Sequence, residues 1–189
     1  MPFYSVSGAS KAMARFWVCC IIVFTLSFSS LPQEKLDQLL VYGNNFLFSV
    51  KEPAGWRGDT AIAEKFQSNI VLHEATQPSQ SLAGLIRVRL NEKTDENISA
   101  DMEADIRSYK AQYPKIRFKD IAIRNPAYPA VAKVFYVPGQ FYEYVAYMNP
   151  GQGKPFIFSV SMNSQKLEAT AKQLGAYELT LASLKLLKP

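Results

Sequence analysis

Cysteine and histidine are nearly absent from this chain: 189 residues include two cysteines and one histidine. Cys19 and Cys20 both lie in an almost uncharged run from Phe16 to Leu31. If that run is removed on export, the remaining chain has no disulfide, no thiol nucleophile and no thiolate metal ligand. A single imidazole cannot build a multi-histidine metal centre. Also missing are a G-x-S-x-G nucleophile elbow, a clustered run of Lys or Arg, an internal repeat and a low-complexity tract. These absences leave Ser-His-Asp hydrolysis without its usual strand-to-helix nucleophile. They also exclude nucleic acid as an expected partner, because such binding needs a basic cluster.

What is present begins with an address. Lys11 and Arg15 precede the apolar run, and Ser27-Phe28-Ser29 closes it with small residues at the two positions a signal peptidase reads. Residues 1–29 are expected to be a signal peptide cleaved after Ser29, with Ser30 as the next choice. Met13 offers a more compact start than Met1. The run from Phe16 to Leu31 is just short of the roughly 17–25 residues of a spanning helix, so an uncleaved inner-membrane anchor is the alternative. Cys19 and Cys20 sit at the beginning of the run, the wrong end for a lipoprotein acceptor. Loss of Lys11 and Arg15 leaves 19 basic against 16 acidic side chains, a mild balance suited to solubility. The rest of the chain is long enough for one domain.

Residues 30–42 read as a polar lead-in, with a helical turn or two over Glu34–Leu40, and residues 43–189 as a single domain. In "NNFLFSVKEPAGW", Phe46, Phe48 and Val50 alternate on one side of a strand stopped by Pro53 and Gly55. "SNIVLHEA" and "LIRVRLNE" repeat the pattern, Ile86, Val88 and Leu90 facing a core and Arg87 and Arg89 facing outward. From Ile98 the period changes: Ile98, Met102, Ile106, Tyr109 and Tyr113 share one helical face, Asn97 or Ser99 caps it and Pro114 ends it. "KIRFKDIAI" returns to a strand. "AVAKVFYV", "QFYEYVAYM" and "PFIFSVSM" then form antiparallel hairpins through Pro138-Gly139 and "NPGQGKP". Leu167, Ala171, Leu174, Leu181 and Leu184 predict a helical tail capped at Asn163 or Ser164, with Gly175 as a point where it divides in two. The order of elements gives an α+β fold with a mostly antiparallel sheet and helices packed on it.

"FLFSVKEPAGW" resembles the opening strand and P-x-x-W turn of the PsbP/DcrB-like superfamily. "YEYVAYMNPGQGKPFIFSVSMNS", followed by a helix with "LASLK", is similar to that group's closing hairpin and C-terminal helix. The resemblance covers roughly residues 43–187. It implies an α/β/α sandwich with a twisted sheet, of the kind found in photosystem II extrinsic subunits, bacterial envelope proteins and a eukaryotic Ran-binding factor. Members act mainly by binding, and the group offers no shared catalytic motif to carry over.

The remaining motifs have plain readings. His73 is structural by expectation; with a carboxylate such as Glu74 and a distant serine it is also the one route to a hydrolase. "DENISADMEAD" fails as a calcium loop, Ala100 standing where glycine and Ile106 where glutamate belong. Asp101 and Asp105, one helical turn apart, read as a solvated face. "NPGQGKP" lacks the Ser/Thr and the helix of a phosphate loop and reads as a hairpin tip. Asn97-Ile98-Ser99 is a glycosylation sequon with meaning only in a eukaryotic secretory route.

The aromatic surface is the most informative feature. Tyr142 and Tyr144 project to one side of their strand, Phe141 and Tyr147 to the other, and Tyr136 lies on the preceding strand. Burial under helices is one reading. The other is a half-open tyrosine face that holds a partner, rimmed by Arg87 and Arg89. The partner-binding candidates are therefore Tyr136, Tyr142, Tyr144, Arg87 and Arg89. The expected protein is an exported, periplasmic or secreted, non-catalytic binding or assembly accessory of the bacterial envelope. It is a monomer that uses no cofactor or metal and meets another envelope protein or peptide. A hydrolase built on His73 and a membrane-tethered form of the same domain are the alternatives.

Overall fold

The computed structural model describes residues 38–76, 84–93 and 95–188. The expected leader, both cysteines and the start of the lead-in lie outside the described residues. Ten strands and three helices occur among those described, in the order β1 (Gln38–Tyr42), β2 (Leu47–Lys51), β3 (Trp56–Asp59), α1 (Thr60–Lys65), β4 (Ile70–Glu74), β5 (Ile86–Glu92), α2 (Ile98–Gln112), β6 (Arg117–Asp120), β7 (Ala130–Val137), β8 (Phe141–Met148), β9 (Phe156–Asn163), α3 (Ala171–Ser183) and β10 (Lys185–Lys188). The α+β class and the antiparallel pairing follow the expectation from alternation. A seven-stranded sheet runs β3-β4-β5-β9-β8-β7-β6, and a separate three-stranded sheet runs β1-β2-β10.

Alternation decides what covers each face of the large sheet. Ile86, Val88 and Leu90 on β5, Phe158, Val160 and Met162 on β9, and Tyr144, Ala146 and Met148 on β8 form one buried face. Against it pack Val41, Phe48 and Val50 of the small sheet and Ala176, Tyr177 and Leu181 of α3. Phe48 meets Phe158 edge-on at 5.3 Å, a geometry aromatic pairs favour. The buried Tyr177 donates its hydroxyl hydrogen to the Val160 carbonyl at 3.0 Å, so its polar end enters the core satisfied. Gly58 makes room for this packing. A Cβ there would meet Leu39 and lie 3.0 Å from Ile70 Cδ1.

The opposite face is covered in two places. Helix α2 lays Met102, with Ile98, Ile106 and Tyr109, over Phe135, Val145, Tyr147 and Ile157. The short α1 lays Ile62 and Ala63 over Val71 and Leu85. Asn97 caps α2, accepting from the Ser99 amide at 3.0 Å, and Tyr113 ends it beside Pro114, as the sequence predicts.

Several expectations are corrected. Residues 38–40, placed in a helical turn, and residues 38–42, assigned to a polar lead-in, form β1, whose Val41 is buried in the core. The strand expected over "KIRFKDIAI" is confined to Arg117–Asp120. Asn163 and Ser164 do not cap the last helix. Asn163 Oδ1 accepts from the Gln165 amide and Ser164 donates to the Leu167 carbonyl, which closes a local turn. The helix starts instead at Thr170, which forms a capping box with Gln173, leaving Leu167 exposed. Gly175 does not divide it, since α3 is continuous from Ala171 to Ser183. "LASLK" ends the helix and continues into β10, the outer partner of β2.

Candidate functional site

Between α1 and α2 the centre of the large sheet is left uncovered. Its floor is the polar half of the alternation. Arg87 lies opposite Ser161 and Arg89 opposite Ser159 across the β5/β9 ladder. Val145 and Tyr147 continue those rows onto β8, where Glu143 stands opposite Asn163. One wall is the flank of α2 that carries Asp105, Ser108, Tyr109 and Gln112, spaced at three and four residues so that they share a side. The resulting cleft has a volume of about 440 Å³. A second, less polar hollow of about 290 Å³ adjoins it through Arg87, Phe141 and Asn163 and reaches Phe66 and Leu85.

The polar groups of the cleft are held by one another. Glu143 receives Arg87 on Oε1 and the Tyr109 hydroxyl on Oε2, the latter at 2.6 Å. Both members of the ion pair are largely buried, at 22% and 12% side-chain exposure, so water screens them less than a surface pair. Tyr109 is fixed in turn by stacking on the fully buried Phe135, 4.4 Å between centroids. Tyr147 donates to Asp105 Oδ2 at 2.9 Å. Arg89 donates to the Phe66 carbonyl at 2.6 Å and reaches the Ser68 hydroxyl at 3.4 Å, which ties the floor to the chain leaving α1. At the mouth, Tyr113 and Phe141 pack at 4.9 Å with a 55° tilt.

These contacts set the protonation states. Burial raises Asp105 above the ordinary carboxylate value; the Tyr147 hydrogen bond opposes this, and the neighbouring Glu143 charge adds to it. Burial also pushes Tyr109 far above the usual phenol range, helped by the Glu143 charge and the hydrogen bond to it. Tyr147 rises for the same reasons, with Asp105 as its acidic neighbour. Both phenols are therefore neutral donors at physiological pH.

The candidates named from sequence fall on two surfaces. Arg87 and Arg89 belong to the cleft. Tyr136, Tyr142 and Tyr144 lie on the opposite side of the sheet, because Tyr144 stands in the row of Ile86, Met162 and Val134. The arginines consequently do not rim a tyrosine face. Tyr144 is buried, and its hydroxyl accepts from the Ala169 amide at 3.2 Å. Tyr136 and Tyr142 are half-buried and stack almost parallel, 5.4 Å apart at 3°.

His73 lies outside the cleft. It is buried on β4, with Nδ1 3.0 Å from the Glu74 carbonyl oxygen, and among the described residues it bonds to no serine or carboxylate. Among the described residues no three His, Cys, Asp or Glu side chains converge on a metal-binding position, and no helix is long and apolar enough to cross a membrane. Asp105, expected on a solvated helix face, is half-buried in the cleft and accepts from Tyr147, and Glu143 is a cleft residue that sequence reasoning missed. The available signal was a carboxylate in the middle of an otherwise aromatic and aliphatic strand, "FYEYVAYM". No protein-family model matches the chain, and no curated protein matches it.

Proposed function

We propose that this protein is an exported, non-catalytic binding or assembly-accessory domain of the bacterial cell envelope, a PsbP/DcrB-like sandwich whose binding surface is the cleft between α1 and α2. The observation that carries this reading is the pair of contact groups in the cleft, Arg87 and Tyr109 on Glu143 and Tyr147 on Asp105. Donors and acceptors locked by their neighbours are held for recognition, since little side-chain freedom is lost when a partner arrives. Export rests on the basic residues, the apolar run and the small residues at its end.

A photo-crosslinking amino acid placed at Ser161 or Gln112 of the full chain, in the bacterium that makes it, tests the cleft. Adducts are expected from these two positions and not from Lys51 or Glu178, which lie outside the cleft. Adducts from the outer positions alone would show that another surface does the binding. N-terminal sequencing of the exported protein tests the leader, with Ser30 or Leu31 as the expected first residue and an intact Phe16–Leu31 segment as the sign of an anchor.

A further inference from the structure

We infer that the cleft binds a neutral saccharide of one or two rings. This rests on the reading of the cleft as the binding surface and adds the chemical class of what it holds. Charge is the first ground. Arg87 and Arg89 face Asp105 and Glu143 across the same space, so the formal charges cancel and neither an anion nor a cation finds an unopposed field. Glu143, gripped by two donors, already neutralises Arg87, and Arg89 has part of its guanidinium committed to the Phe66 carbonyl and the Ser68 hydroxyl with Asp105 as the opposing charge in the same cleft.

The remaining hydrogen-bonding capacity is the second ground. The bonds formed inside the protein use only part of each guanidinium fork. Ser159, Ser161, Ser108, Gln112 and Asn163 add groups that both donate and accept. A ring of hydroxyls, each able to do both, is the ligand that such a mixed set satisfies without leaving a buried group unpaired. An apolar ligand would strand those groups.

Shape is the third ground. The cleft volume of about 440 Å³ lies within the roughly 300–1,000 Å³ of small-molecule sites. At its mouth the tilted pair Tyr113 and Phe141 presents apolar ring surface on which the C–H face of a pyranose can rest. A peptide fits less well. The floor is β5, β9 and β8, whose backbone groups are spent on one another, so no free strand edge is offered for main-chain pairing.

The test titrates the full chain with glucose, N-acetylglucosamine, maltose and N,N′-diacetylchitobiose, and with tri-alanine as the peptide probe, following backbone amide resonances. At least one saccharide is expected to shift Ser159, Ser161 and Gln112 saturably while leaving Tyr136 and Tyr142 still. Ser161→Leu, which fills the floor, and Tyr113→Ala, which removes the rim, are each expected to weaken that binding about tenfold or more while the chain stays folded at the titration temperature, Tyr113→Ala melting somewhat lower through its lost packing on Phe141. Two variants at separate positions keep the test open if one folds poorly. Shifts in the cleft with tri-alanine and none with any saccharide would overturn the inference and leave the cleft as the binding surface. Silence with every probe overturns the inference as well, and the crosslinking from Ser161 and Gln112 then decides the broader reading separately.

Discussion

The Tyr109 hydroxyl donates to Glu143 Oε2 at 2.6 Å across the boundary between α2 and β8, while Arg87 holds the other oxygen of the same carboxylate. Three elements distant in sequence are thus joined at one buried charge. Tyr109→Phe removes a hydrogen bond to an ionised group and is expected to lower stability by about 1.5–3 kcal/mol. Glu143→Ala leaves Arg87 without its partner and lies toward the lower end of the roughly 3–5 kcal/mol for breaking a buried pair, since both side chains keep some solvent contact. Urea denaturation measures both. Adding Tyr109→Phe to Glu143→Ala is expected to cost much less than it does alone, because the shared acceptor has gone. Simple additivity would mean that Tyr109 and Glu143 do not act together.

Asp105 provides a pH signature. Its folded value is raised above the ordinary 3.8 by burial. The stability associated with its protonated form is therefore fully present below the unfolded value and is lost as pH rises through the folded one. Asp105→Asn keeps an acceptor for the Tyr147 hydroxyl and removes the ionisation. The variant is expected to melt higher than the wild type at neutral pH, with the gap closing as pH falls toward 4. Melting curves across that range check it. A gap independent of pH would assign the effect to something other than the proton.

Gly175 stands in the interior of α3, exposed, and a Cβ there would meet nothing within 4 Å. Alanine restricts the unfolded chain and suits a helix better by about 0.5–1 kcal/mol. Gly175→Ala is accordingly expected to raise the melting temperature without altering cleft resonances. A lower melting temperature would show that the helix backbone at this point depends on glycine.

At Gly58 the same substitution has the opposite sign. The added methyl would run into Leu39 of β1 and press on Ile70, so overpacking of about 1–3 kcal/mol is expected. Trimming Leu39 to alanine should relieve part of that strain, making the double variant less destabilised than the sum of the two. Denaturant midpoints for the four proteins decide whether Leu39 is the obstacle.

Much of this fold was legible because half-buried strands and amphipathic helices declare themselves within ten residues. Phe48 and Val50, the triplet Ile86, Val88 and Leu90, and the stripe Ile98, Met102 and Ile106 all face inward as their spacing predicts. The misread elements are short or stabilised from afar. β1 and β10 exist because each pairs with β2, and a five-residue or four-residue strand carries too little alternation to announce such pairing. α3 was misplaced because Leu167 fits the helical spacing by chance, while the stronger local signal, Thr170 with Gln173 three residues on, is a capping box. The cleft was half legible. Alternation puts Arg87 and Arg89 on the polar side of β5, but only the strand order β5-β9-β8 brings them beside Glu143 and away from the tyrosines.

The tyrosines themselves call for different tests from those the strand pattern suggests. Tyr144 is enclosed by the core that includes Tyr177, 6.4 Å away between ring centroids, and its hydroxyl secures the Ala169 amide just before α3. Tyr144→Ala therefore empties a buried site and is expected to destabilise by about 3–5 kcal/mol, as other aromatic-to-alanine changes in cores do; weaker binding in that variant would report unfolding. Tyr136 and Tyr142 support each other at the strand ends beside the Pro138-Gly139 turn and remain half-exposed. Tyr136→Ala and Tyr142→Ala are each expected to lower stability by about 1–2 kcal/mol through lost area and stacking. With the fold kept, they separate the two surfaces. Saccharide titration of Tyr142→Ala should match the wild type if the cleft alone binds, whereas a loss of affinity equal to that of Ser161→Leu would move the binding surface to the tyrosine side of the sheet.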